Sequence, residues 1–410
     1  MRPGTPGWVG ARLREAREAR GLNGTALADL LLVGSASITQ YEQGKQTPSP
    51  ETLARMSDVL NLPPTFFTTA IEPDRTGSAV FYRSMASATA TARNRGERRL
   101  RWLQSIVAYL REFLAMPAVN FPVADARPDL EFYSDTELEN FANTARQFWG
   151  LGTAPISDVM LLLENSGAII TRGALGAETL DAFSRWMWDD DTPYIYLGTE
   201  KASAARARFN LAHEIAHLLL HRGIPRSVLG RREMHKEMED QAHRFASAFL
   251  MPAESFPAEV YAPTLEALRY LKPRWNVSIA AMIKRLFDLE IITDEQYRRL
   301  RIAYSKRQWN RVEPLDREVE PERPRLLRRC IELLVDRKVQ SKAQIRARLP
   351  FGKRDIEELA CLTPGYLDDA LPDVKVLTLD PTRRRNQEPA HSEIDARVIQ
   401  FPARRMFGDD

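Results

Sequence analysis

Cysteine, histidine, long apolar runs and net charge are all scarce in this 410-residue chain. Its two cysteines, Cys330 and Cys361, lie far from the histidine cluster and form no C-x-x-C pair. They offer no disulfide framework and suit a reducing compartment. No stretch approaches the about 18 apolar residues of a membrane span, and the N-terminus shows no apolar signal core. The expectation is a cytoplasmic protein with no membrane partner. The net charge is only +3, so any basic surface for nucleic acid must be local. The length leaves room for two or three domains with real cores.

Only six histidines occur, and three of them, His213, His217 and His221, fall within nine residues. They sit in a run of helix formers from Ala202 to His221 that no Gly or Pro interrupts. Positions four apart share a helix face, so His213 and His217 can hold one cation, and two neutral imidazoles suit Zn²⁺. Glu214 lies one step round the helix. In the pattern His213-Glu214-Ile215-Ala216-His217 it would take a proton from water at the metal without being a ligand itself.

A third ligand is needed. The stretch Glu237–Leu250, stopped by Pro252, has an apolar stripe of Ala242, Ala246, Phe249 and Leu250, and Glu239 lies on it. An acid facing a core is costly unless it is paired or bound to metal. Glu239 therefore completes a His₂Glu site with one open position. His235 and His243 lie near the same stripe, and either could substitute as a ligand or support one. An oxyanion donor is not named by any motif; His235, Tyr194 and Arg208 are candidates.

The N-terminal 70 residues read as short helices: Val9–Arg20 closed by Gly21, one from Thr25, Ser35–Gln43 closed by Gly44, and Pro48–Leu60. Two short helices joined by a turn at Gly34–Ser35 make a helix-turn-helix. Arg12–Arg17, Gly21–Leu22, Leu27–Ala28, Val33, Ile38–Gly44 and Pro48–Leu53 together resemble the XRE/Cro-type family. That resemblance implies binding to double-stranded DNA. It puts Ser35, Ala36 and Gln40 at base edges and Ser37 and Lys45 near phosphates. Gly24 stands where the family usually has Gln, and Leu32 replaces the usual turn Gly.

A second resemblance rests on two separated motifs. Arg208, Phe209 and the His213–His217 pattern with Leu218–His221, then Glu239, Ala242, Phe245, Ala246 and Leu250–Pro252, resemble the ImmA/IrrE family of zinc metallo-endopeptidases. The family implies zinc at His213, His217 and Glu239, with Glu214 as general base. His221 belongs to its pattern and is expected to support the ligands or pack, since a fourth protein ligand would close the site. His243 stands where the family usually has Asn or Asp.

The expected fold is multidomain and mainly α. An all-α helix-turn-helix spans 1–70, and a hinge at Glu72–Gly77 with a long connector helix occupies 71–125. A zincin-like α+β metallopeptidase with a small sheet spans 126–311, and a helical region and tail span 312–410. The connector helix, Ala88–Met116, carries Arg93, Arg95, Arg98, Arg99 and Arg101, read as a solvated face. Short strands are expected at Ala168–Thr171, Ala182–Trp186 and Tyr194–Leu197. Together the modules point to a DNA-binding regulator with a built-in zinc endopeptidase. Its protein substrate would be a repressor or antitoxin, or the chain itself cut at the hinge, in a stress or mobile-element response. Dimerisation through the helix-turn-helix is a further expectation. The rival expectation is a repressor or antitoxin whose zinc is structural or sensory.

Overall fold

A computed structural model describes residues 4–71, 80–82, 89–122, 132–176, 181–187, 191–200, 203–222, 224 and 231–368. The hinge at Glu72–Gly77 and the tail from Arg383 lie outside them. The chain is mainly helical, with an all-α helix-turn-helix, a central α+β part holding a small mixed sheet, and C-terminal helices. Among the described residues no helix is long and apolar enough to cross a membrane.

Four helices open the chain: α1 (Gly10–Ala19), α2 (Gly24–Leu31), α3 (Ser35–Glu42) and α4 (Pro50–Leu60). Their ends follow local chemistry. Asn23 caps α2 by accepting from the Ala26 N–H, and Ser49 caps α4 ahead of Pro50. α2 ends at Leu32, which is left-handed at φ 55°. A leucine there bears a steric cost that glycine avoids.

The sheet holds β1 (Val80–Tyr82), β2 (Ile169–Gly173), β3 (Ala182–Met187) and β4 (Thr192–Gly198), in the order β1-β3-β4-β2. β1 and β4 are antiparallel to β3, and β2 runs parallel to β4. β1 was not expected, because three residues are too short to show an alternating pattern.

Successive side chains of a strand face opposite ways, and here that alternation separates two cores. Ile169, Phe183, Met187, Tyr194 and Tyr196 belong to one, and Ile170, Ala182, Trp186, Ile195 and Leu197 to the other. The second core is closed by α6 (Asp135–Phe148), α7 (Val159–Asn165), α8 (Ala204–Leu220) and α9 (Arg232–Leu250). The short α10 (Phe256–Glu259) joins α9 to α11 (Leu265–Trp275), α12 (Ile279–Asp288) and α13 (Asp294–Lys306), which complete it. α7 starts later than the apolar pattern from Ile156 suggests. The Arg208 guanidinium takes the Ile156 and Ser157 carbonyls, and Asp158 becomes the cap.

The first core unites the helix-turn-helix with the connector helix α5 (Ala90–Arg111). It also takes in α14 (Leu326–Asp336), α15 (Lys342–Arg348) and α16 (Lys353–Leu359). Phe66, Trp102 and Phe351 pack at its centre, Trp102 stacked on Phe351 at 5.1 Å between ring centroids. The basic residues of α5 are therefore not a solvated face. Arg95 donates to the Arg20 carbonyl, Arg98 pairs with Glu18 of α1, and buried Arg99 pairs with Glu358 of α16. Gly96, the weak point of α5 on propensity, lies where the helix crosses the sheet. A Cβ there would come within 2.8 Å of the Phe183 ring.

Candidate metal centre and nucleic-acid face

Helix α8 begins at Ser203, whose side chain accepts from the Arg206 N–H, and runs without interruption to Leu220. Its central turns are buried on all sides: His213 and Glu214 are wholly inaccessible and His217 nearly so. α9 lies against α8 and brings Glu239 opposite the histidine pair. The Nε2 atoms of His213 and His217 lie 3.1 Å apart, and each is 3.4 Å from a different oxygen of Glu239.

Those three distances test whether a metal fits. Four ligands at about 2 Å around Zn²⁺ lie about 3.3 Å from one another at the corners of a tetrahedron. Two ring nitrogens and a carboxylate converging at 3.1–3.4 Å are a donor set that a cation between them would satisfy. The donor set could hold a divalent cation such as Zn²⁺.

A hydrogen-bond chain orients one ligand. His221, the C-cap of α8, is buried, with Nδ1 2.9 Å from His217 Nδ1 and Nε2 3.2 Å from Gln241 Oε1. An amide oxygen only accepts, so His221 Nε2 donates to it and His221 Nδ1 accepts from His217 Nδ1–H. That assignment leaves the His217 Nε2 lone pair facing His213 and Glu239. Burial, with the neighbouring His217, pushes His221 down to about 3, so it stays neutral and can accept. Gln241 carried no motif in the sequence. Its position two residues beyond Glu239, on a helix facing α8, was the available signal.

The other singled-out residues separate. His235 stands one turn before Glu239, with Nε2 3.9 Å from its Oε1. His243 is exposed, and its ring meets that of His213 at 4.6 Å between centroids. Of the three oxyanion candidates, two lie elsewhere. Tyr194 points into the first core, across the sheet from α8. Arg208 is buried in bonds to Ile156, Ser157 and Glu322. Their sequence proximity to the site was misleading because strand alternation and helix rotation turn both away.

On the helix-turn-helix, Ser35 and Ala36 at the start of α3 are exposed, as is Lys45, while Ser37 and Gln40 are half-buried. Buried Ile38 anchors the inner face of α3, and Arg17 holds its end through two bonds to Glu42, at 2.6 and 3.1 Å. Gly44, at φ 69°, turns the chain back so that the Lys45 N–H donates to the Gln40 carbonyl. Gln40 and Lys45 therefore lie side by side on one edge.

Comparisons with known proteins agree with this division. Residues 8–65 match a helix-turn-helix domain, and residues 165–287 match the IrrE N-terminal-like domain, Peptidase M78. A solved structure, a Mycobacterium tuberculosis transcriptional regulator, aligns at 18% identity and a TM-score of 0.27, over 37% of this chain and 46% of that one. This chain thus spans less than half the length of that structure. No curated protein matches it. The chain accordingly joins a helix-turn-helix domain to an IrrE-like domain.

Proposed function

We propose that this fusion of a helix-turn-helix with an IrrE-like domain is a DNA-binding regulator carrying a zinc-dependent endopeptidase. The observation that carries the reading is the convergence of His213, His217 and Glu239 ligand atoms, with buried Glu214 next to His213 along α8, in one chain with a helix-turn-helix domain. His213, His217 and Glu239 would hold the metal, and Ser35, Ala36, Ser37, Gln40 and Lys45 would meet DNA.

Zn²⁺, when bound, supplies Lewis acidity that polarises a peptide carbonyl and makes water more acidic. Glu214 accepts a proton from the attacking water and returns it to the amine that leaves, so the carboxylate ends as it began. His221 and Gln241 hold His217 in the tautomer that presents Nε2. Of the three oxyanion candidates, His235 is the one that stands beside a metal ligand, 3.9 Å from Glu239, and it would donate to oxygen as charge develops. The substrate class is a partner protein of the repressor or antitoxin kind, cut when a stress or mobile-element signal arrives. Near-complete burial of His213, Glu214 and His217 supports the second reading, a repressor with a structural or sensory metal.

The test is a comparison of the zinc-loaded chain with Glu214→Gln against proteins encoded beside it. The expected result is unchanged zinc content and cleavage lowered by about 10²–10⁴-fold. Equal cleavage by both forms, or none by either with zinc bound, supports the structural or sensory reading instead.

A further inference from the structure

Along the first half of α8 lies a cavity of about 980 Å³, with Arg206, Phe209, Asn210, Trp309, Arg311 and Arg317 in its wall. One residue of its wall, Phe209, approaches the metal centre through His243. The Phe209 ring stands 5.8 Å from that of His243, which in turn meets His213. Asn210, one helical turn before Glu214, is buried, and its Oδ1 has no donor among the described residues. A backbone N–H can meet that demand.

The charges of the wall are unequally committed. Glu313 is buried and accepts from Lys272 Nζ, the Ile279 and Ala280 N–H groups and the Tyr304 hydroxyl, at 2.8–3.0 Å. Asp316 accepts from Lys272 at 2.6 Å and from the Glu313 N–H at 3.0 Å. Arg206 is paired with Asp181. Arg311 and Arg317 are exposed and have no ion-pair partner among the described residues. The acids are thus used to brace the start of α12, and two guanidiniums remain for a visitor.

We infer that this cavity receives an extended, acidic segment of a partner protein, with Arg311 and Arg317 pairing with its carboxylates and Asn210 with its backbone. The direction of the segment, towards Glu214, rests on the peptidase reading; the binding itself does not. Guanidiniums take carboxylates in bidentate pairs, which favours Glu and Asp over neutral side chains.

The experiment measures anisotropy of fluorescein-labelled peptides of about twelve residues, alike except that four positions are all Glu, all Gln or all Lys. They are titrated with the zinc-loaded full chain carrying Glu214→Gln, with and without Arg311→Glu and Arg317→Glu. The Glu peptide is expected to bind tightest, and the paired charge reversal to weaken it by about tenfold or more. Zinc content should not change. Equal affinity for all three peptides, an unaltered preference in the double variant, or no binding of any peptide overturns the inference. So does displacement showing that the two arginines hold duplex DNA rather than the Glu peptide. Acid-selective binding, when the zinc-loaded chain that keeps Glu214 cleaves nothing, keeps the cavity assignment and removes the peptidase reading; cleavage by that chain without acid preference does the reverse.

Discussion

Arg20 in the cap of the first helix and Asp355 in the last described helix form a two-point ion pair, Nη1–Oδ1 at 2.5 Å and Nη2–Oδ2 at 2.7 Å. Arg20 also lies over the Trp102 ring and donates to the Leu60 and Asn61 carbonyls. The helix-turn-helix is thereby fastened to α5 and α16 through space as well as through the chain.

A cut at the Glu72–Gly77 hinge should therefore not release the DNA-binding module. With a protease site inserted there, both fragments are expected to elute together and keep their DNA affinity. Separation on size exclusion would show that the shared core is too weak to hold them. Arg20→Ala leaves a buried carboxylate alone and should cost about 3 kcal/mol, read as a lower urea midpoint.

Gln241→Leu should loosen the metal without touching a ligand. Losing an outer hydrogen bond of this kind lowers metal affinity by about 10–100-fold, measurable by competition with a chromogenic chelator. His221→Leu should act in the same direction, and Gln241→Glu, which keeps an acceptor, should restore part of the loss. Unchanged affinity in all three would mean that the His217–His221–Gln241 chain is packing alone.

Gly96→Ala should destabilise the protein although alanine is the better helix former. The propensity gain is about 1 kcal/mol, while a methyl 2.8 Å from the Phe183 ring forces overpacking that costs about 1–3 kcal/mol. Shortening the neighbour with Phe183→Leu in the same chain should return much of the loss. Denaturation of the single and double variants decides it.

Acid stability should depend on Glu139. Burial pushes its carboxyl up, but the Arg285 and Arg244 guanidiniums outweigh burial and hold it below the ordinary value of 4.5. A folded-state value below the unfolded one gives stability that is full above about 4.5 and lost as pH falls through the folded value. Glu139→Gln should flatten that part of the stability–pH curve while lowering stability at neutral pH. An unchanged slope on urea titration between pH 3 and 6 would remove Glu139 from the account.

Much of the architecture was legible in local pattern. Uninterrupted helix formers around His213 and His217, the helix closures at Gly21 and Gly44, and the short strand runs of β3 and β4 are properties of neighbouring residues, and neighbours are what a sequence displays. The spacing of the histidines already put two ring nitrogens on one face, and an acid on an apolar stripe already marked Glu239. Tertiary structure alone decided which distant groups meet. It set Glu239 against α8, joined Gln241 to His221, turned Tyr194 and Arg208 away from the metal, and made the arginines of α5 into braces for the helix-turn-helix. The physical reason is common to all four. Helix and strand periods fix where a side chain points on its own element, but the partner across the gap depends on how whole faces pack, which no short window records.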